Sequence, residues 1–134
     1  MAEPMFDGVT LTSDAGRVVV GCRRSRTYTE TMPGVNGAYV QPCGYGPRPL
    51  AAEGLLAAQS TTAAGARAAV MELFRQRERR ADGATLGTFV ATDGHLYANC
   101  LLQAYAHGRL RIARAGESLV AYLPVRAVLL QVTP

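Results

Sequence analysis

Three cysteines, two histidines and ten carboxylates are the side chains of this chain that could attack a substrate, hold a metal or move a proton. Cys22, Cys43 and Cys100 are far apart, odd in number and form no CxxC pair, and His95 and His107 do not complete a ligand set. That spacing predicts neither a tetrahedral zinc site nor a disulfide framework. It predicts three reduced, partly buried thiols acting as small apolar groups. A cysteine nucleophile would need a histidine beside it, and His95 and His107 each lie an odd number of residues from Cys100. Side chains alternate across a strand, so both histidines are expected on the face opposite Cys100, which reads as core. Asp93 precedes Gly94 and reads as a turn former rather than a base. A phosphate loop at Gly44-Tyr45-Gly46 would need free backbone donors and a helix behind it. Pro47 and Pro49 remove two donors, and no Gly-Lys-Ser/Thr follows. No carboxylate pair stands at a spacing suited to glycoside chemistry. The expectation is a protein without catalytic residues, metal or cofactor, taking no small-molecule substrate.

All 14 basic residues are arginine, and the formal net charge is +4. Guanidinium groups are planar, multi-donor partners for carboxylate or phosphate. They gather twice, at Arg17, Arg23, Arg24 and Arg26, and again at Arg75, Arg77, Arg79 and Arg80. Nucleic-acid sites place aromatics among such cations. Tyr28 alone accompanies the first cluster, and Glu72 and Glu78 dilute the second. The clusters therefore read as solvated or interface faces, with a small arginine-rich β-barrel that binds nucleic acid as the alternative.

Behind these residues must stand a scaffold of 134 residues, 49% of them apolar and 18% charged. That suits one domain over residues 1–134 with a modest core. No run of about 18 apolar residues predicts a membrane helix, and the start MAEPMFDGVT does not have the form of a signal peptide. Strands are expected at Val9–Thr12 and, bent at Gly21, from Arg17 to Thr29. Pro-Gly and Asn-Gly turns at 33–37 lead into a strand over 38–41, and 48–58 reads as a strand or a short helix, the strand being favoured. One helix is expected over about 62–81. Its N-cap lies among Ser60–Thr62, Ala66, Ala69, Val70, Leu73 and Phe74 form one stripe, and Asp82-Gly83 ends it. Asp93-Gly94 signals a hairpin between strands 85–92 and 95–106, the second facing the core with Leu96, Ala98, Cys100, Leu102 and Ala104. Further strands follow over 109–114, 119–123 and 125–132, the last two divided by Pro124. The expected fold is mainly β with one α-helix: an antiparallel β-sandwich or barrel with a single helix packed on it.

The stretch from Thr31 to Pro49 is long for a connection without structure, and it carries apolar groups that water does not favour. It is expected to be either a binding arm or a hairpin laid on a neighbour. The predicted interface comprises Arg23, Arg24, Arg26, Met32, Val35, Tyr39 and Tyr45, with Glu53 or Glu117 of the next subunit as partners for the arginines.

Met32-Pro33-Gly34-Val35-Asn36-Gly37-Ala38-Tyr39-Val40-Gln41 is followed by Gly44, Arg48 and Ala51-Ala52-Glu53-Gly54-Leu55-Leu56, then a helix, then Asp93-Gly94 leading into Tyr97 and Asn99. Over roughly residues 17–112 this order resembles tail and baseplate proteins of long-tailed bacteriophages: distal tail proteins, DNA-circulation tail proteins and baseplate hub domains. The resemblance implies a structural subunit, not an enzyme, forming a ring around the tail channel. Its implied partners are further copies of itself and tube, hub or tape-measure proteins, with DNA passing through the channel. Its implied location is the virion tail, assembled in the host cytoplasm. The Pro-rich stretch 42–49 and the lack of a carbohydrate- or receptor-binding domain depart from that pattern.

Overall fold

The structure, a computed structural model, describes residues 3–23, 25–31, 33, 34, 37 and 39–133, with residues 25–29 and 39–45 described at the level of the backbone. Among the described residues, ten strands and one helix follow in the order β1 (Met5–Phe6), β2 (Val9–Thr10), β3 (Asp14–Val20), β4 (Ser25–Glu30), β5 (Tyr39–Tyr45), β6 (Arg48–Ser60), α1 (Ala63–Glu78), β7 (Leu86–Val90), β8 (Leu96–His107), β9 (Arg111–Ala115) and β10 (Ser118–Gln131). The fold is mainly β with a single helix packed on an antiparallel sheet. Eight strands form that sheet in the order β2-β1-β7-β8-β10-β6-β3, with β9 paired to β10 beside β8, and β4 and β5 form a separate two-stranded ribbon. The sheet is not closed into a barrel by a ladder. Its two edges are instead joined by the chain itself, because Leu11–Ser13 runs directly from β2 to β3. Leu11 donates to Pro4 O (2.8 Å) and Ser13 to Leu55 O (2.7 Å) along that crossing. Gly54 makes it possible: a Cβ there would lie 2.6 Å from Cγ2 of Thr12, which is buried.

Helix α1 begins where Thr62 accepts a hydrogen bond from Gly65 N (3.0 Å) through its side chain. It ends at Glu78 rather than near 81, because Arg80 and Ala81 bond back three residues, to Arg77 O and Glu78 O, and tighten the last turn. Gly83 then turns the chain at φ +74°. Ala66, Val70 and Phe74 are buried against the sheet, with Leu73 packed at the margin. The Phe74 ring stacks on Tyr105 at 5.2 Å and meets His107 edge-on at 4.7 Å. The Tyr105 hydroxyl donates to Leu11 O, tying β8 to the crossing segment. At the far end of α1, Arg77 donates to Thr10 O (2.6 Å) and Arg80 reaches Asp7 (3.4 Å), so the helix also holds β1 and β2.

Several elements differ from the sequence expectation: the one bent strand expected from Arg17 to Thr29 is two, β3 and β4, which belong to different sheets, and further differences lie in β8, the β7–β8 hairpin and β10. β8 does not keep its alternation: Tyr97, Cys100, Leu102 and Tyr105 are buried, while Leu96, Ala98 and Ala104 are exposed. Asn99 takes φ +55°, and the register with β10 slips between Val128 and Leu129, where β8 gives up three residues to two of its partner. Each irregularity moves the side chains to the other face. The Asp93-Gly94 hairpin has a three-residue loop, Ala91 donating to His95 O (3.0 Å) and Gly94 in the left-handed region at φ +88°. Pro124 does not divide the last strand, since β10 runs unbroken through it. Its neighbour is divided instead. Gly108 donates to Pro124 O (2.8 Å), so Pro124 turns its donorless nitrogen to that same side, and there β8 stops at His107 and β9 resumes at Arg111.

Candidate functional site

Two features lie outside the helix-packed core: the β4–β5 ribbon and the face of the sheet turned away from α1.

The ribbon continues the β3–β6 pair. Val20 pairs with Leu50, Gly21 donates to Pro49 O (2.8 Å), and after a break Ser25 pairs with Tyr45, Thr27 with Pro42 and Glu30 with Tyr39. Pro42 suits this setting, because a two-stranded ribbon has only edges. Arg23 anchors the break. Its guanidinium donates to Gly46 O (3.1 Å) and to Gln131 Oε1 (2.9 Å), and Gln131 in turn donates to Ala98 O (3.0 Å). The end of β10, the start of β8 and the base of the ribbon are thereby joined. Among the described residues, neither β4 nor β5 packs extensively against any element but the other.

Of the expected interface residues, Arg23 thus bonds within its own chain. Arg26, Tyr39 and Tyr45 lie on the ribbon strands, their side chains outside the described residues. Arg24, Met32 and Val35 also lie outside the described residues. Glu53, expected to meet an arginine of the next subunit, lies between Arg17 (3.3 Å) and Arg126 (3.6 Å) of its own chain, and Glu117 is exposed. Arg77 and Arg80 of the helix cluster hold β1 and β2, as described above.

The outer face of the sheet was legible only in part. Inward-facing Ala121, Leu123, Val125, Ala127 and Leu129 of β10 are buried. The outward residues between them are Val120, Tyr122, Pro124, Arg126, Val128 and Leu130, and only one of these is charged. Across the strands, Pro49, Leu130, Leu101 and Leu86 stand in direct register on β6, β10, β8 and β7. Val19, Leu86 and Leu96 are each at least half exposed. A sheet with one face in water alternates apolar with polar; β10 departs from that by carrying apolar residues on both faces. The signal was present in the sequence as the near-continuous apolar run 119–130.

Where β8 gives way to β9, the outer face opens into two adjoining hollows of about 620 and 510 Å³, which share Leu55 and Pro124. Arg17, Glu53 and Arg126 border one, and Arg109, Arg111 and Tyr122 the other.

The thiols differ from one another. Cys100 is buried, donates to Tyr97 O (3.3 Å), and burial pushes its pKa up, which suits an inert core thiol. Cys22 is exposed rather than partly buried, since it falls in the break between β3 and β4. Cys43 has its side chain outside the described residues. The slips in β8 place Cys100 and His107 on one face, contrary to the alternation argument. Cys100 nevertheless pairs with Gln131 and His107 with Val125, six residues along β10, or roughly 20 Å. They form no nucleophile pair. Burial also raises the pKa of Tyr105. Among the described residues, no group of three or more His, Cys, Asp or Glu is placed to hold a metal ion, and no helix is long and apolar enough to cross a membrane.

No family model matches the chain, and no curated protein matches it.

Proposed function

We propose that this chain is a structural subunit of a phage-like tail or baseplate, one that joins its neighbours through the β4–β5 ribbon and assembles into a ring. The observation that carries this reading is the ribbon itself. A two-stranded hairpin alone in water is marginally stable, and among the described residues β4 and β5 pair only with each other and pack extensively on no other element. A surface on another molecule supplies what it lacks. The apolar outer face supports the same reading, because it presents a neighbour with a ready site. The tail or baseplate setting rests on the resemblance of residues 17–112 and on the order of strands, helix and strands.

Negative-stain images of the purified chain should show rings, and their absence at high protein concentration would count against assembly. Replacing residues 26–44 by Asn-Gly joins the paired Ser25 and Tyr45 in a tight turn. That variant should fold and remain a monomer. If the protein instead binds DNA with an affinity that collapses as salt rises, and does not self-associate, the arginine-rich nucleic-acid reading replaces this one.

A further inference from the structure

We infer that the ribbon of one copy seats in the Leu55–Pro124 groove of the next, with Glu30 facing the arginines at its rim. This rests on the self-assembling reading above and adds the acceptor surface to it.

The groove is a product of the local sequence. Pro124 offers no N–H toward β8 and β9, so the ladder opens there, and Leu55 of β6 faces the opening from the other side. Its floor is apolar. Its rim holds Arg17, Arg126 and Arg111, whereas Glu53, already shared by Arg17 and Arg126, is the one carboxylate lining it. Such a groove calls for an apolar segment bearing a negative charge.

The ribbon is that segment. From Thr27 to Pro47 the sequence has one charged residue, the exposed Glu30, among tyrosine, valine, methionine and proline. Its own groove is out of place for it. The ribbon leaves the β3–β6 pair at the Val20–Leu50 end, while the groove lies at the Asp14–Leu55 end, five residues or roughly 17 Å back along β6. Among the described residues, the ribbon strands make their extensive contacts with each other and not with the sheet. A second copy is therefore the donor. Ribbon and groove are different surfaces, so the contact is head-to-tail, and repetition closes a ring if the rotation allows.

Two variants test the pairing. Glu30→Arg damages the ribbon, and Leu55→Asp damages the groove. Each alone should keep the wild-type circular dichroism spectrum and weaken self-association by about tenfold or more. Mixed in equal amounts, they should form a dimer of twice 14.2 kDa and nothing larger, because one intact ribbon meets one intact groove. Should Leu55→Asp fold poorly, Arg17→Glu with Arg126→Glu replaces it, both side chains being largely exposed. Adding Glu30→Arg to that charge-reversed chain should restore assembly. The inference is overturned if the wild type assembles and either single variant assembles equally well, or if the mixture stays monomeric. In those cases the self-assembling reading stands without this groove. A wild type that stays monomeric overturns both, and a duplex oligonucleotide bound by that monomer and released by Leu55→Asp gives the groove to nucleic acid.

Discussion

The two faces of β10 are almost equally apolar and meet opposite fates. Leu123, Val125 and Leu129 are buried on the side that α1 covers, while Val120, Tyr122, Val128 and Leu130 remain half-buried on the other. Within the sheet, hydrophobicity alone does not decide which face becomes the core. The helix decides it, through Ala66, Val70 and Phe74, and through the Arg77 and Arg80 contacts that draw β1 and β2 around it. What remains apolar outside stays only half-buried on the outer face.

This contrast is broken most sharply by a charge on either face. Leu123→Asp places an unpaired carboxylate in the core and should cost about 5 kcal/mol or more, enough to unfold a domain of this size. Val128→Asp puts the same group on the outer face and should cost about 1 kcal/mol or less in the monomer. Urea unfolding of both variants checks the pair, and equal losses would mean that the outer face is core as well. Phe74→Ala removes the contact that joins α1 to Tyr105 and His107, and should cost about 3–5 kcal/mol. A midpoint within experimental error of wild type would show that α1 is not docked.

At the ribbon, Arg23→Met leaves Gly46 O and Gln131 Oε1 without their donor. The loss should be about 1–3 kcal/mol, and amide exchange should quicken first in β4 and β5. Faster exchange in β10 alone would place the role of Arg23 elsewhere.

The smallest effect concerns the turn after α1. Asp82 accepts from the Thr85 hydroxyl and from the Thr85 and Ala84 amides, and these bonds lower its pKa from 3.8 to about 2. Because the folded state favours the ionised carboxylate, its contribution is full above pH 3.8 and fades as pH falls toward 2. Asp82→Asn should flatten the stability profile in that window and leave it unchanged at neutral pH apart from a constant offset.

Much of the scaffold was legible in the sequence because its signals are local. The helical stripe, a cap among Ser60–Thr62 and the Asp93-Gly94 hairpin each follow from neighbouring residues. The errors arose where a distant partner decides. The slips in β8 answer to the register with β10, and the effect of Pro124 falls on the adjacent strand. The outer-face groove was missed for the same reason: Leu55, Pro124 and Arg17 are far apart in sequence and meet only through strand order. A strand over 38–41 was anticipated where β5 lies, but its pairing with β4 was not, and the anchoring of Arg23 to Gln131 spans 108 positions and leaves no local trace.

Self-assembly through the ribbon is the central claim, and sedimentation velocity over a range of concentrations tests it most directly. The full chain should sediment as a closed oligomer of many times 14.2 kDa, and the variant lacking residues 26–44 as a folded monomer. A full-length chain that remains a monomer at the highest concentration, or a ribbonless variant that assembles as the wild type does, would contradict it.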